Sequence, residues 1–505
     1  MADPFYITTA IHYPNGRPHI GHAYEMIAAD AIARFQRQQG RDVFFQTGTD
    51  EHGLKMVKTA RDRDMTAREL ADEMSSYFSE MADKLDISCD RFIRTSEADH
   101  YKASQAIWQA MADAGDLYLD RYEGWYSVRD EAFYEEKELV EGEGGEKLSP
   151  QGTPVEWTAE ETWFFKLSKY EKPLLDFYAA NPDFIRPESR RNEILRFVEG
   201  GLADLSVSRT SFDWGVPVPG SPGHVMYVWV DALTNYLTGA GYPDDQERLA
   251  RYWPADIHLI GKDIVRFHTV YWPAFLMSAK IALPKQVFGH GFMLYRDRKI
   301  SKSELAQMER PPVVDPLALA DYYGVDALRY FLLRDVSFGQ DGSFSDEAIV
   351  TRANADLSNS FGNLAQRTLS FIAKNCEGKV ETGRVEEADG VLIAEVENAC
   401  GGFIRAFEDL ALSQGVELWV AGVFACNAYI DAQAPWGLRK TDPDRMHAVL
   451  NTLLRAIRRL AVTIAPVVPG SAEKLLAQLG PEGDADFRIA PPTPIFPRLE
   501  LKEEA

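Results

Sequence analysis

Residues 5–11, FYITTAI, form a β-branched and aromatic run that predicts a short strand. The Pro/Gly-rich stretch HYPNGRP that comes next predicts a loop. From about Ile20 to Gln39 apolar residues recur at Tyr24, Ile27, Ala28, Ala31 and Phe35, positions that share one face of an α-helix, and Gly40 predicts its end. A second strand-like run, DVFFQT, leads into GTDEHG. Strand, loop, helix, strand is the order of a βαβ unit, so the N-terminal part is expected to be α/β with a doubly wound parallel sheet of Rossmann type.

Between about Leu117 and Thr162 the pattern changes to aromatic strand-like segments separated by EGEGGE and SPQGTP, which predicts a small inserted module. Strand-like runs return at DIHLIG (256–261) and QVFGHGFML (286–294). From Asp346 to about Gln478 the signal is helical, with breaks expected near Glu377–Gly390, Ser413–Gly415, Ala434–Asp444 and Pro466–Gly470. This divides the chain into a first half-sheet at 1–116, the insert at 117–162, a second half-sheet at 163–343, an all-α bundle at 344–480 and an extended tail at 481–505.

Composition narrows the class. With 505 residues, 45% hydrophobic and 26% charged, the chain is of ordinary globular make-up and long enough for several domains. Four scattered cysteines (Cys89, Cys376, Cys400, Cys426) exclude a disulfide scaffold. The longest stretch free of charged residues, Trp214 to Val230, contains three prolines and three glycines, so no membrane span is expected. The N-terminus has neither a basic segment nor an apolar run of signal-peptide type, and a cytoplasmic protein is expected. A net charge of −23 argues against indiscriminate nucleic-acid binding; any RNA contact must be local.

Two segments carry candidate chemistry. In His19-Ile20-Gly21-His22 two histidines three apart stand at the mouth of the first helix, where unpaired N–H groups and the positive dipole end suit a phosphate chain. Far along the chain, Lys299-Ile300-Ser301-Lys302-Ser303 interleaves lysines with hydroxyls and can neutralise charge as pyrophosphate leaves. Neither GxxxxGK[ST] nor GxGxxG occurs, which removes the P-loop and dinucleotide-binding alternatives.

HIGH in the first half of such a sheet, with KISKS at its end and a helical bundle after it, resembles the class I aminoacyl-tRNA synthetases. Within that class the chain resembles the methionyl-tRNA synthetases along essentially its whole length, through TTAIHYPNGRPHIGHAYE, TGTDEHG, SRTSFDWG, YVWVDALTNYL, IGKDIVRFH, GHGFML, KISKS, FGNLAQR and AQAPW. The synthetases for leucine, isoleucine and valine share HIGH and KISKS but carry a far larger insertion. A silent tRNA-binding paralogue would have lost signature histidines or lysines, and all are present.

The resemblance implies methionine–tRNA ligase activity, with ATP and Mg²⁺ as cofactors and both initiator and elongator tRNA(Met) as partners. It places the methionine side chain against Ala10, Ile11, Tyr13, Trp229, Ala232, Leu233, Tyr236, Ile264 and His268, a set whose aromatic and aliphatic character suits a thioether. Asp50 matches the partner of the substrate ammonium. His19, Gly21 and His22 are implied for the ATP phosphates, Gly261 and Asp263 for adenosine, and Arg209, Lys299 and Lys302 for activation.

Two departures and one distant group complete the picture. Where many members of the family hold zinc through cysteines, this chain has Ser127, Asp130 and Ser149, so no structural zinc is expected and the aromatics Trp125, Tyr126, Phe133 and Tyr134 are expected to hold the insert. The signature loop has Ile300 where methionine is commonest. In the bundle, Asn363 and Arg367, four apart on one helix face, and Trp436 match residues that read the CAU anticodon. Without the resemblance, Trp436 would be expected to lie buried between helices. The sequence ends soon after the last predicted helix, so the family's optional C-terminal tRNA-binding domain is not expected, and a monomer is.

Overall fold

The Phe-Tyr-Ile-Thr-Thr run forms strand β1 (Pro4–Thr9), and DVFFQT extends through Gly48 to form β2 (Asp42–Thr49). Between them lies α1 (Ile20–Gln38), closed by Gly40 with φ 82°. In this computed structural model the described residues are 2–128, 132–142, 145–295, 315–481 and 487–501. Lys299, Lys302 and Asp130 lie outside them, as does the side chain of Phe133. The chain divides into two units: Met1–Ala29, Gln39–Asp83 and Ile87–His290 make the first, and Asp30–Gln38, Lys84–Asp86 and Gly291–Ala505 the second.

The first unit is built on a six-stranded sheet that adds β3 (Arg91–Arg94), β4 (Ile185–Arg186), β5 (Ile257–Gly261) and β6 (Val287–His290). Its order is β3-β2-β1-β5-β6-β4, with every neighbouring pair parallel. The inner strands are buried almost throughout, polar Thr8, Thr9, Gln46 and Thr47 included, as expected where both faces of a parallel sheet are covered. The chain leaves β1 in one direction through β2 and β3 and returns to its other side with β5. That reversal opens a crevice at the carboxyl ends of β1 and β5, the place where open α/β sheets bind ligands.

The insert forms an antiparallel ribbon, Leu117–Ser127 against Glu156–Phe165, flanked by Ala132–Tyr134 and Leu205–Ser206. Trp125 and Trp157 meet edge to face at 5.3 Å, with Lys147 4.2 Å over the Trp125 ring. At two of the three positions matched to zinc ligands, buried hydroxyls share a partner: Ser127 and Ser149 each contact Thr153 Oγ1, at 2.7 and 2.8 Å. Neutral hydroxyls are not the thiolate or imidazole donors of a structural zinc site, and here they satisfy each other.

In the second unit, Met293–Tyr295 pairs in parallel with Gly342–Phe344, which ties the stretch after His290 to the segment that leads into the bundle. Helices α4 (Val325–Asp335), α5 (Asn363–Asn375), α6 (Glu387–Glu408), α7 (Leu412–Gln433) and α8 (Pro443–Ile464) surround a core that includes Trp419, Phe403, Phe407 and Ile457. The break expected at Ser413–Gly415 falls instead at Asp409–Ala411, where Leu410 adopts φ 58° and Gly415 lies within α7. Lys379–Val380 pairs with Phe487–Arg488, and the Leu499 backbone exchanges two hydrogen bonds with the Asn354 side chain. Among the described residues no helix is long and apolar enough to cross a membrane.

Candidate active site

Strands β1, β2, β5 and β6 end at the carboxyl edge of the first unit's sheet. After β1 the chain keeps its pairing: Ala10 N–H donates to Leu259 O, His12 N–H to Gly48 O and Asp50 N–H to His12 O, at 2.8–3.0 Å. Asp50 is therefore fixed beside the β1 exit. Gly261 ends β5 opposite His290 of β6, and Asp263 comes next in a single exposed turn.

At the start of α1 the rings of His19 and His22 stack at 3.8 Å. His19 Nδ1 accepts the Gly21 N–H and His22 Nδ1 accepts the His19 N–H, both at 3.1 Å. With Nδ1 accepting, each neutral ring carries its proton on Nε2, the nitrogen able to donate to a phosphate oxygen. His12 supports them from behind, edge-on to His22 at 4.9 Å and stacked on Phe78 at 5.4 Å. Burial pushes His12 down to about 3.

The apolar group is brought together by helix α3 (Val228–Gly239) and the turn after β5. Trp229 lies flat on Phe267 at 3.8 Å, while Ala232, Leu233 and Tyr236 are buried on α3, and Ile11 and Ile264 are half-buried. His268 Nδ1–H donates to Ile264 O at 3.0 Å, so Nε2 accepts the Tyr236 hydroxyl proton at 2.6 Å. Burial pushes His268 down to about 4, so this polar pair stays neutral. Such a wall suits an uncharged side chain with one soft atom and offers no counter-charge to a lysine or glutamate. Because His12 and His268 bind protons less readily folded than unfolded, their contribution to stability is complete above their ordinary value of 6.5 and falls away as pH drops toward 4.

Two further expected members are held by partners of their own. Tyr13 packs against the Met56 cluster, its hydroxyl accepting the Met56 N–H at 3.2 Å. Arg209 is buried on the short strand Ser208–Arg209, donates to Ser206 Oγ and Ser208 O, and lies over Tyr227 at 4.5 Å. It lines a cavity of about 430 Å³ shared with Arg196, Arg266 and Tyr271.

In the second unit, Asn363 is exposed at the first position of α5. One turn on, the Arg367 guanidinium lies 5.4 Å over the Trp436 ring and donates to Asp431 at 2.7 Å. Trp436 is 48% exposed, not buried between helices. Left-handed Ala434 (φ 43°) ends α7, and Pro435 starts the separate helix Pro435–Thr441 that carries the ring outward.

Comparison with known proteins gives this geometry its family. Residues 5–369 match the family described as tRNA synthetases class I (M), and residues 380–490 match the anticodon binding domain of methionyl tRNA ligase. The chain belongs to the class I methionyl-tRNA synthetases. It is 56% identical to the methionine–tRNA ligase of Brucella suis over 99% of both chains, and 52% identical to that of Mycobacterium tuberculosis over 98% of both. Among solved structures it matches Mycobacterium tuberculosis methionyl-tRNA synthetase in complex with methionyl-adenylate, with TM-score 0.94 and 52% identity over 98% of this chain and 100% of that one. The free-state structure of that enzyme matches at 0.88.

Three features escaped the motifs. Glu25, one turn beyond His22, bonds His290 Nε2 at 2.7 Å, and burial raises its carboxyl. Phe267 stacks on Trp229. Asp231 is buried between His52 and His100. Glu25, His290, Phe267, Asp231 and His52 all lie inside quoted motif segments; the missing signal was their pairing across the chain.

Proposed function

We propose that the chain ligates methionine to initiator and elongator tRNA(Met) in two steps. ATP enters as its Mg²⁺ complex. A methionine carboxylate oxygen attacks the α-phosphate in line, forming methionyl-adenylate as the bond to pyrophosphate breaks. The 2′- or 3′-hydroxyl of the terminal adenosine then attacks the carbonyl carbon, and AMP leaves with the ester bond formed. In this reading Asp50 accepts the substrate ammonium, Trp229, Leu233 and the Tyr236–His268 pair enclose the thioether, and His19 and His22 donate Nε2–H to phosphate oxygens. Gly261 and Asp263 face adenosine, and Arg209, Lys299 and Lys302 assist activation.

The observation that carries this reading is the match, over 98% of the chain, to a methionyl-tRNA synthetase holding methionyl-adenylate. Amino-acid-dependent ATP–pyrophosphate exchange tests it across all twenty amino acids. Exchange is expected to be maximal with methionine and to need no tRNA; a maximum with leucine, or none, overturns it. We assign a monomer in the cytoplasm on the same resemblance.

The exposed Trp436 ring beside Arg367 and Asn363 is a stacking platform for an unstacked base, with edge donors beside it. Trp436→Ala is expected to lower tRNA charging by roughly five- to 150-fold, the equivalent of one lost base stack at about 1–3 kcal/mol. Methionyl-adenylate formation should be unchanged. Normal charging would move the anticodon site elsewhere, and an equal loss in both assays would make Trp436 a packing residue.

A further inference from the structure

We infer that His52, Asp231 and His100 form a buried positioning relay that holds Asp50 in register with the apolar wall on α3 and thereby sets methionine affinity. This rests on the reading of Asp50 and that wall as the methionine site.

Asp231 lies on α3 among Trp229, Ala232, Leu233 and Tyr236, yet its carboxylate is fully buried and turned away from an apolar role. Each oxygen takes one imidazole: His52 Nδ1 reaches Oδ2 and His100 Nε2 reaches Oδ1, both at 2.6 Å. The two histidines oppose the effect of burial strongly enough to hold Asp231 down at about 2, so it is an anion that only accepts. Both imidazole nitrogens must therefore donate. His52 Nε2 meets the Tyr101 hydroxyl at 2.9 Å, and His100 Nδ1 meets Thr238 Oγ1 at 3.0 Å. His100 and Tyr101 belong to α2 (Ala98–Asp113), and Thr238 to α3. Two helices are thus joined to the segment just past β2.

That segment is clamped residue by residue around Asp50. Glu51 turns the other way, chelating Arg94 at 2.6 and 3.1 Å and taking Thr95 Oγ1 on its N–H. Trp214 closes the turn, its Nε1–H donating to Glu51 O at 2.6 Å and its ring edge-on to His52 at 5.3 Å. Glu51 fixes the turn to the sheet, and His52 fixes it to α3. The distance between Asp50 and Trp229 is thereby set by a rigid hydrogen-bonded strut, where two independently packed elements would drift. A 1 Å error in that span separates the ammonium partner from the side-chain pocket for one small substrate.

The test is steady-state exchange with methionine and ATP varied separately. His52→Ala is expected to raise KM for methionine about ten- to hundredfold, the consequence of leaving a buried carboxylate oxygen without its donor, and to leave KM for ATP within about twofold. His52→Asn, which keeps a donor where Nδ1 stands, should restore methionine KM most of the way. If His52→Ala fails to fold, Asp231→Asn, which presents an amide to one of two donors, takes its place and must raise methionine KM in the same selective manner. Unchanged methionine KM, an equal rise for ATP, or an Asn variant no better than Ala overturns the relay. Loss of methionine dependence in the parent enzyme instead overturns the site reading on which the relay rests.

Discussion

Arg329→Ala is expected to destabilise the second unit by about 3–5 kcal/mol, measured as a lowered urea midpoint and Tm. Arg329 is among the largest fully buried side chains, and every donor on its guanidinium is used. Nη2 donates to Asp30 at 2.6 Å and to Pro466 O at 3.1 Å, Nη1 to Leu85 O at 3.1 Å and to Asp86 O at 3.4 Å, and Nε to Val467 O at 3.1 Å. Removing it leaves a buried carboxylate and four backbone carbonyls without that donor. Arg34 remains on Asp30 at 2.7 Å, which places the expectation nearer the lower figure. The double variant Arg329→Met, Asp30→Leu removes both charges and should recover part of the loss. Recovery stays incomplete because the carbonyls of Leu85, Pro466 and Val467 still want donors, at about 1 kcal/mol each. A cost below about 1 kcal/mol for the single change would mean the four segments are not stitched by this residue.

None of that stitch is visible in the sequence, where Arg329 reads as one more arginine on a helix. Periodicity was legible wherever one face meets the core: Tyr24, Ile27, Ala28, Ala31 and Phe35 of α1 are all fully or nearly fully buried. Glycines were the ambiguous signal. Gly48 reads as the start of a loop, yet β2 runs through it because a Cβ there would stand 2.0 Å from Ile93 O on the neighbouring strand. Gly415 reads as a helix break, yet it sits inside α7 with Phe407 packed where a Cβ would stand 2.8 Å from its ring. In both places the missing side chain serves close packing, and local sequence cannot separate that use from a turn.

The candidate site divides along a similar line. Residues at strand ends were legible because the doubly wound sheet itself points to them: Asp50 lies just past the end of β2, and Gly261 ends β5. Pairings were not, since Glu25 and His290 are 265 residues apart and His52 and Asp231 are 179 apart. A lone buried histidine carries no mark of its partner in one sequence. For Trp436 it is only the reading made without the resemblance that fails, and for a different reason. A tryptophan between helices reads as core, and only the Ala434–Pro435 turn, which starts a separate short helix, carries its ring to the surface.

Lys302→Ala is expected to lower methionine-dependent exchange a hundredfold or more, with KM for methionine little changed. Lys302 lies outside the described residues, so the expectation comes from the chemistry of the step and from KISKS. As the bond to pyrophosphate breaks, negative charge grows on the bridging and β-phosphate oxygens. In the proposed site His19 and His22 would meet that charge with neutral Nε2–H donors, because their Nδ1 atoms already accept backbone N–H groups. These two histidines supply dipoles but no full positive charge, and the whole chain carries −23. A lysine ammonium is the group that fills this need, and removing one preorganised charge stabiliser typically costs about 3 kcal/mol of barrier. The loss should fall on kcat, since the charge it meets develops in the transition state and the methionine pocket is lined by α3 and the turn after β5. Lys302→Arg should retain part of the rate, keeping the charge on a bulkier, planar group. Near-normal exchange by the alanine variant would transfer the role to another cation, with Lys299 and Arg209 the next to be replaced.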